Sequence, residues 1–209
     1  MLNLYITRHG ETEWNKEGRL QGWQNSPLTE KGIAQGKRLH EAVKRYGIEK
    51  IYASPSTRAM ETAIYAKGNL DIDIEYVEDL KEMNMGDWEG KTLAEIRLNE
   101  PDNFKRYWET PHLFQKNTGE DFEGMLLRVR RALAYIRAHH EQGNILVVTH
   151  GVTLKGFMSE FSEEGFSAFW KKPVVEQTSI SLVRWVKDEP GKIILYGDTE
   201  HFIEKETRE

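Results

Sequence analysis

The run Ile145-Leu146-Val147-Val148 limits what this chain can become more than any other feature. Four consecutive aliphatic residues offer no polar face, so a strand made of them must be covered on both sides. Such a strand belongs inside a mostly parallel sheet with helices packed above and below, and the rest of the chain supplies the matching elements. Leu2, Leu4 and Ile6 alternate with Asn3, Tyr5 and Thr7, which predicts a strand running into Arg8-His9-Gly10. A helix is expected over 27–46, with Thr29 as N-cap and Gly47 ending it, then a strand at 50–53 and a helix opening at Ser54-Pro55. An extended stretch at 72–80 follows, and Thr92 with Glu95 forms a capping-box signature for a helix over 93–99. Phe122, Leu126, Val129, Leu133 and Ile136 recur at helical spacing within 120–140, and a further helix is expected over 153–161. Two last extended stretches, 180–186 and 193–196, flank the turn Asp188-Glu189-Pro190-Gly191 as a hairpin. The stretch 99–119 differs in character. It mixes Phe104, Tyr107, Trp108 and Phe114 with Pro101, Pro111 and Asn117 without a clean period, and reads as an insertion over the main body. The expected fold is an α/β three-layer α/β/α sandwich, with a mostly parallel central sheet, an antiparallel edge and a helical flap insertion at about 83–120, all in one domain over residues 1–209.

Composition removes several kinds of function. The 209 residues include no cysteine, which excludes disulfides, thiolate nucleophiles and cysteine-ligated metal sites. The formal charge of -5 gives no bulk attraction to nucleic acid or to an anionic membrane, and no apolar run approaches the roughly 20 residues that span a bilayer. The amino terminus lacks a signal-peptide pattern, so a cytoplasmic location is expected. His139-His140 points in two directions on a helix, and His112 and His201 have no partner at ligand spacing, so no metal site is expected. Arg128, Arg130 and Arg131 read as the solvated face of the long helix.

Two predicted strands end in the same way, in Thr7-Arg8-His9-Gly10 and in Thr149-His150-Gly151. Ligands in open α/β sheets bind at that carboxyl edge, and a glycine after each histidine lets backbone N–H groups come close to an anion. Arg58, early in the helix after the 50–53 strand, adds a second guanidinium beside Arg8, and Glu82 lies at the end of a third extended stretch. Two arginines, two histidines and helix amino termini suit an anionic ligand.

The segment Leu4-Tyr5-Ile6-Thr7-Arg8-His9-Gly10-Glu11-Thr12-Glu13-Trp14-Asn15 resembles the signature of the histidine phosphatase, or phosphoglycerate mutase-like, superfamily. Pro27-Leu28-Thr29-Glu30-Lys31-Gly32, Ser54-Pro55-Ser56-Thr57-Arg58-Ala59, Leu80-Lys81-Glu82 with Gly86-Asp87-Trp88-Glu89-Gly90, Gly119-Glu120 and Val147-Val148-Thr149-His150-Gly151 continue that likeness in the family's order. The resemblance implies His9 as the nucleophile that becomes phosphohistidine and Glu82 as the general acid and base. It further implies Arg8, Asn15, Arg58, His150 and Gly151 around the phosphoryl oxygens, and Gln21 near the substrate. It implies no metal and no cofactor. Where the family's mutases have basic residues after the acid, this chain has Met83-Asn84-Met85-Gly86, which argues against a mutase, because a substrate carboxylate would lose its guanidinium partner. Met83, Met85, Trp88, Phe104, Tyr107, Trp108 and Phe114 fall in or beside the flap, with Trp108 expected at the substrate. The expected function is a metal-independent phosphomonoesterase of broad specificity, favouring apolar or aromatic esters, similar to the bacillar broad-specificity branch. Alternatives are an α-ribazole-phosphate phosphatase, a phosphoglycerate mutase, or a catalytically silent phospholigand-binding protein. The expected partner is a small-molecule phosphomonoester, with no nucleic acid and no membrane, and the oligomeric state is open.

Overall fold

The computed structural model describes residues 1–115, 118–171, 173–187 and 189–202; Asn117 and Asp188 of the expected loop and turn lie outside them. The elements run β1 (Leu2–Arg8), α1 (Glu13–Glu17), α2 (Glu30–Arg45), β2 (Lys50–Ala53), α3 (Thr57–Lys67), β3 (Asp73–Tyr76), α4 (Leu93–Asn99), α5 (Pro101–Glu109), α6 (Phe122–His139), β4 (Gly143–Thr149), α7 (Gly151–Ser159), β5 (Ile180–Trp185) and β6 (Lys192–Asp198). They build a six-stranded sheet in the order β3-β2-β4-β1-β5-β6. The four strands from β3 to β1 are parallel, and β5 and β6 add an antiparallel edge.

Chain direction across the sheet decides which face each helix covers. Right-handed crossovers that move outward from β1 to β2 to β3 place their helices on one face, and the return to β4 places its helix on the other. Accordingly Leu39, Ala42, Val43, Ala59, Ala63 and Ala66 of α2 and α3 pack with Tyr5, Ile51, Leu146 and Val148. On the opposite face Met125, Val129, Ala132 and Ile136 of α6, with Leu154 and Phe157 of α7, pack with Leu4, Ile6, Ile145 and Val147. The apolar run of β4 thus splits alternately between two cores, and all four residues are at most 1% exposed.

Three local expectations change. The 72–80 stretch is a strand only over Asp73–Tyr76 and then tightens into a 3₁₀ turn at Glu78–Leu80, whose Leu80 is fully buried. Within 99–119 the chain forms α5, with Pro101 in its first turn and Phe104, Tyr107 and Trp108 at helical spacing. Proline costs nothing there, because the first N–H groups of a helix have no intrahelical partner. Arg128 is not solvated: it is 8% exposed and turned inward, unlike Arg130 and Arg131, which pair on the surface with Glu160 and Asp79.

Candidate active site

Strand pairing places the two histidines. β1 and β4 lie side by side with Arg8 opposite Thr149, and the His9 N–H continues the ladder onto the Thr149 carbonyl at 2.9 Å. The next residue on each strand is a histidine, and the two rings meet edge to face with centroids 5.2 Å apart. His9 is 2% exposed and His150 fully buried.

His9 has a defined tautomer. Its Nδ1 lies 2.7 Å from the Gly10 carbonyl, which can only accept, so Nδ1 carries the proton. Nε2 is left with its lone pair, which accepts from Arg58 Nε at 3.2 Å. Burial, then the charges of Arg58 and Arg8, hold the His9 pKa well below its ordinary value, against a smaller opposing effect of the Gly10 bond. His150 is held low by burial first, then by Arg58 and His9. Both rings are therefore neutral at pH 7.

The two guanidiniums are held differently. Arg58 stands in the first turn of α3, where a cation opposes the helix dipole, a local rule broken at the point where positive charge is gathered. Its Nη1 donates to the Gln24 carbonyl and Asn25 Oδ1, its Nη2 to the Gly22 carbonyl, so the group is fixed as a rigid fork. Burial lowers its pKa to about 10, with Glu82 opposing and Arg8 adding to the effect, which leaves it charged at neutral pH. Arg8 donates from Nη1 to the Val175 carbonyl, while its buried Nε has no protein partner among the described residues. Buried polar atoms without partners are costly, and Arg8 Nε, Gln21 Oε1 and His150 Nδ1 share that condition here.

Glu82 is seated on the amino end of α7. Its Oε1 accepts from the N–H groups of Met83 and Thr153 and from Thr153 Oγ1, at 2.9, 3.0 and 3.1 Å, and among the described residues its Oε2 accepts only from the Val152 N–H at 3.1 Å. The helix end suits a carboxylate. Oε2 is the oxygen with capacity to spare.

These groups face a cavity of about 320 Å³. Arg8, His9, Asn15, Gln21, Arg58, Glu82, Trp108 and Gly151 all line it; His150 does not, standing behind His9 with Nε2 2.8 Å from Ser54 Oγ. Asn15 uses its Oδ1 to cap α1 through the Thr12 N–H, so its amide NH₂ is what it can offer a ligand. The expected reason for Gly10 is replaced by another. Its N–H is taken by Thr62 Oγ1 at 3.0 Å, and a Cβ there would lie 2.5 Å from the Gly32 carbonyl of α2.

The apolar wall differs in membership from the expectation. Met85, Tyr107 and Trp108 line the cavity, whereas Met83, Trp88 and Phe114 are buried in the core beneath it and Phe104 packs against that core. The other side of the mouth comes from a stretch with no motif to announce it: Trp170, Lys171, Pro173, Val174 and Val175, joined by Lys155 of α7. Thr178, beyond that stretch, is the one non-glycine described residue with positive φ, at 60°, and its N–H donates to the Arg8 carbonyl. A β-branched residue in that region stores roughly 1–3 kcal/mol of strain.

Comparison with known proteins places the chain. Residues 4–199 match the model of the histidine phosphatase superfamily, branch 1. A solved structure, YhfR of Bacillus stearothermophilus, is 40% identical with a TM-score of 0.92, covering 97% of this chain and all of that one. Phosphoserine phosphatase 1 of Hydrogenobacter thermophilus is 30% identical over 170 residues, 81% of each protein. The phosphoserine phosphatase of Entamoeba histolytica, solved with 3-phosphoglyceric acid, is 28% identical with a TM-score of 0.83, covering 97% of this chain and all of that one. The paired His-Gly strand ends and the two inward guanidiniums are thus set in a fold shared along the whole chain, which belongs to the histidine phosphatase superfamily and is a phosphatase.

Proposed function

We propose that the protein is a metal-independent phosphomonoesterase of broad specificity that works through phosphorylated His9. The observation that carries this reading is the neutral Nε2 of His9, its tautomer set by Gly10, on the floor of a cavity lined by Arg8, Arg58 and Glu82. Nε2 attacks phosphorus as the P–O bond to the leaving alcohol breaks. Glu82, entering the cycle as the neutral acid with its proton on Oε2, gives that proton to the departing oxygen and is left as the carboxylate. Water then attacks the phosphohistidine, its proton passes to Glu82, the P–N bond breaks and the electron pair returns to Nε2. Phosphoryl transfer spreads charge over three equatorial oxygens, and fixed positive groups around them supply most of the catalysis. Arg8, Arg58 and the Asn15 amide fill that role, with Gly151 at the start of α7. His150 stands behind His9 with Nε2 donating to Ser54 Oγ, so its unpartnered Nδ1 joins them as a donor to a phosphoryl oxygen when the ring takes up a proton.

Trp108, from the expected flap, packs directly on Trp170 with ring centroids 4.6 Å apart, and the leaving group lies against the apolar wall that the two rings form together. The remaining cations of the mouth are engaged: Arg19 with Glu17 and the Gly90 carbonyl, Lys155 with the carbonyls of Lys171 and Pro173, and Lys171 with Glu164. This favours aryl and apolar esters over those carrying a carboxylate, such as phosphoserine or 3-phosphoglycerate.

The test is hydrolysis of p-nitrophenyl phosphate with a chelator present, followed by phosphoserine, 3-phosphoglycerate and sugar phosphates. The wild type should turn over the aryl ester fastest, and His9→Ala should lose at least about 10³-fold in kcat. Activity that the chelator abolishes, or that survives in His9→Ala, overturns the reading.

A further inference from the structure

Arg128 spends all five guanidinium N–H groups away from the cavity. Nε donates to Glu120 Oε1 at 2.6 Å, and Nη2 to Glu120 Oε2 at 2.7 Å and to the Glu82 carbonyl at 3.2 Å. Nη1 donates to the carbonyls of Asp79 and Lys81 at 3.0 and 3.1 Å. Three carbonyls in four residues, all on the segment that delivers Glu82, therefore end on one planar group. Glu120 grips the other side of the same segment: its Oε2 accepts from the Asn84 N–H at 2.9 Å and its own N–H donates to the Asn84 carbonyl at 2.8 Å. Gly119 lets the two stretches touch, since a Cβ there would lie 2.4 Å from the Asn84 oxygen. The Arg128 and Glu120 side chains are 9% and 19% exposed.

A buried ion pair is weak evidence for stability, because desolvation offsets much of its attraction. What this one supplies is geometry. Residues 79–84 have no strand or α-helix to hold them, yet they must present Glu82 Oε2 within hydrogen-bond reach of a leaving oxygen.

We propose that Arg128 and Glu120 are positioning residues for Glu82: the pair fixes the backbone on both sides of the acid so that its carboxyl meets the leaving group. The inference rests on Glu82 being the proton donor. Its signature is dependence on the leaving group. p-Nitrophenolate departs without a proton, phenol needs one more, and an alkyl alcohol cannot leave without one. A loosened Glu82 therefore slows alkyl esters selectively, whereas a general weakening of the fold slows all esters alike.

The experiment compares kcat/KM for p-nitrophenyl, phenyl and alkyl phosphates in the wild type, Arg128→Met, Arg128→Lys, Glu120→Gln and Glu82→Gln. Glu82→Gln should lose about 10²-fold on the alkyl ester and far less on the nitrophenyl ester. Arg128→Met should show the same slope at smaller amplitude, about 10-fold on the alkyl ester and under about 3-fold on the nitrophenyl ester. Arg128→Lys should fall between wild type and Met, since an ammonium reaches carbonyls but cannot form the fork. Thermal unfolding establishes which variants fold, and Lys and Gln carry the test if Met does not. A slope in Glu82→Gln with none in folded Arg128 and Glu120 variants, or an equal loss on all esters, overturns the proposal. A flat series in Glu82→Gln itself overturns the assignment of the proton donor instead.

Discussion

Arg8, His9 and His150 come from the ends of two paired strands, and Arg58 from the first turn of the helix that follows a third. Trp108 comes from α5, and Trp170, Pro173 and Val174 from the irregular stretch between α7 and β5. The floor of the cavity is thus fixed by the β1–β4 register: a shift of one residue would turn His9 and His150 to different positions and invert both core faces at once. The mouth is set by ring packing. Trp108 meets Tyr107 at 5.0 Å and Trp170 at 4.6 Å, and remains 38% exposed, while Val174 is 75% exposed. On the proposed mechanism, chemistry sits where the fold tolerates least change, and substrate choice where it tolerates most.

That contrast predicts a difference in how mutations are felt. On the proposed mechanism Arg58→Ala removes a donor from the phosphate end of every substrate, and it should lower kcat/KM by about 10²- to 10³-fold on aryl, sugar and amino-acid phosphates alike. It also strips partners from the Gly22 and Gln24 carbonyls, so the melting temperature should fall as well. A loss on one substrate class that is much larger than on another would break the distinction between floor and mouth.

The floor also carries an acid sensitivity that the mouth lacks. His9 and His150 have folded-state pKa values well below the ordinary 6.5, so below that pH the unfolded chain binds protons that the native protein does not. Stability is then complete above about pH 6.5 and is lost as pH falls, with a limiting slope of about 1.4 kcal/mol per pH unit for each histidine. Urea midpoints between pH 7 and 5.5 should shift accordingly. His150→Asn should reduce the slope, and Trp108→Ala should leave it unchanged. An equal slope in all three proteins would show that other groups govern acid unfolding.

The same division decides what could be read from the residues. Ile145-Leu146-Val147-Val148 is apolar without interruption because two cores claim its alternate residues, and a pattern with that cause is visible in one sequence. The two His-Gly strand ends were visible for a related reason, since adjacent parallel strands ending alike place their next residues together. Arg128 was misread because its neighbours Arg130 and Arg131 are solvated, and nothing local distinguishes the one that meets Glu120 and three carbonyls. Gly119-Glu120 stood out as a motif, but its partner at Asn84 is a tertiary fact. Trp170 and 173–175 were missed because they form no periodic element. The signal of α5, Pro101 at its start and Phe104, Tyr107 and Trp108 at helical spacing, spans too few residues to stand out from the prolines and loop residues around it.

The mouth yields the smallest expected effect and the sharpest test of its own role. Trp108 lies between the packed ring of Tyr107 and open solvent, and truncating it to Ala removes one aromatic wall without touching His9, Arg58 or Glu82. An aromatic pair contributes roughly 0.5–1.5 kcal/mol beyond area burial, so aryl phosphates should lose about 2- to 10-fold in kcat/KM. Glycerol phosphate has no ring to stack and should lose nothing beyond error, and the ratio of the two rates is the measurement. A change confined to that ratio assigns leaving-group preference to the wall. An unchanged ratio would mean that Trp108 only packs the flap through Trp170 and Tyr107, and that the preference must be sought at Val174 and Val175 across the mouth.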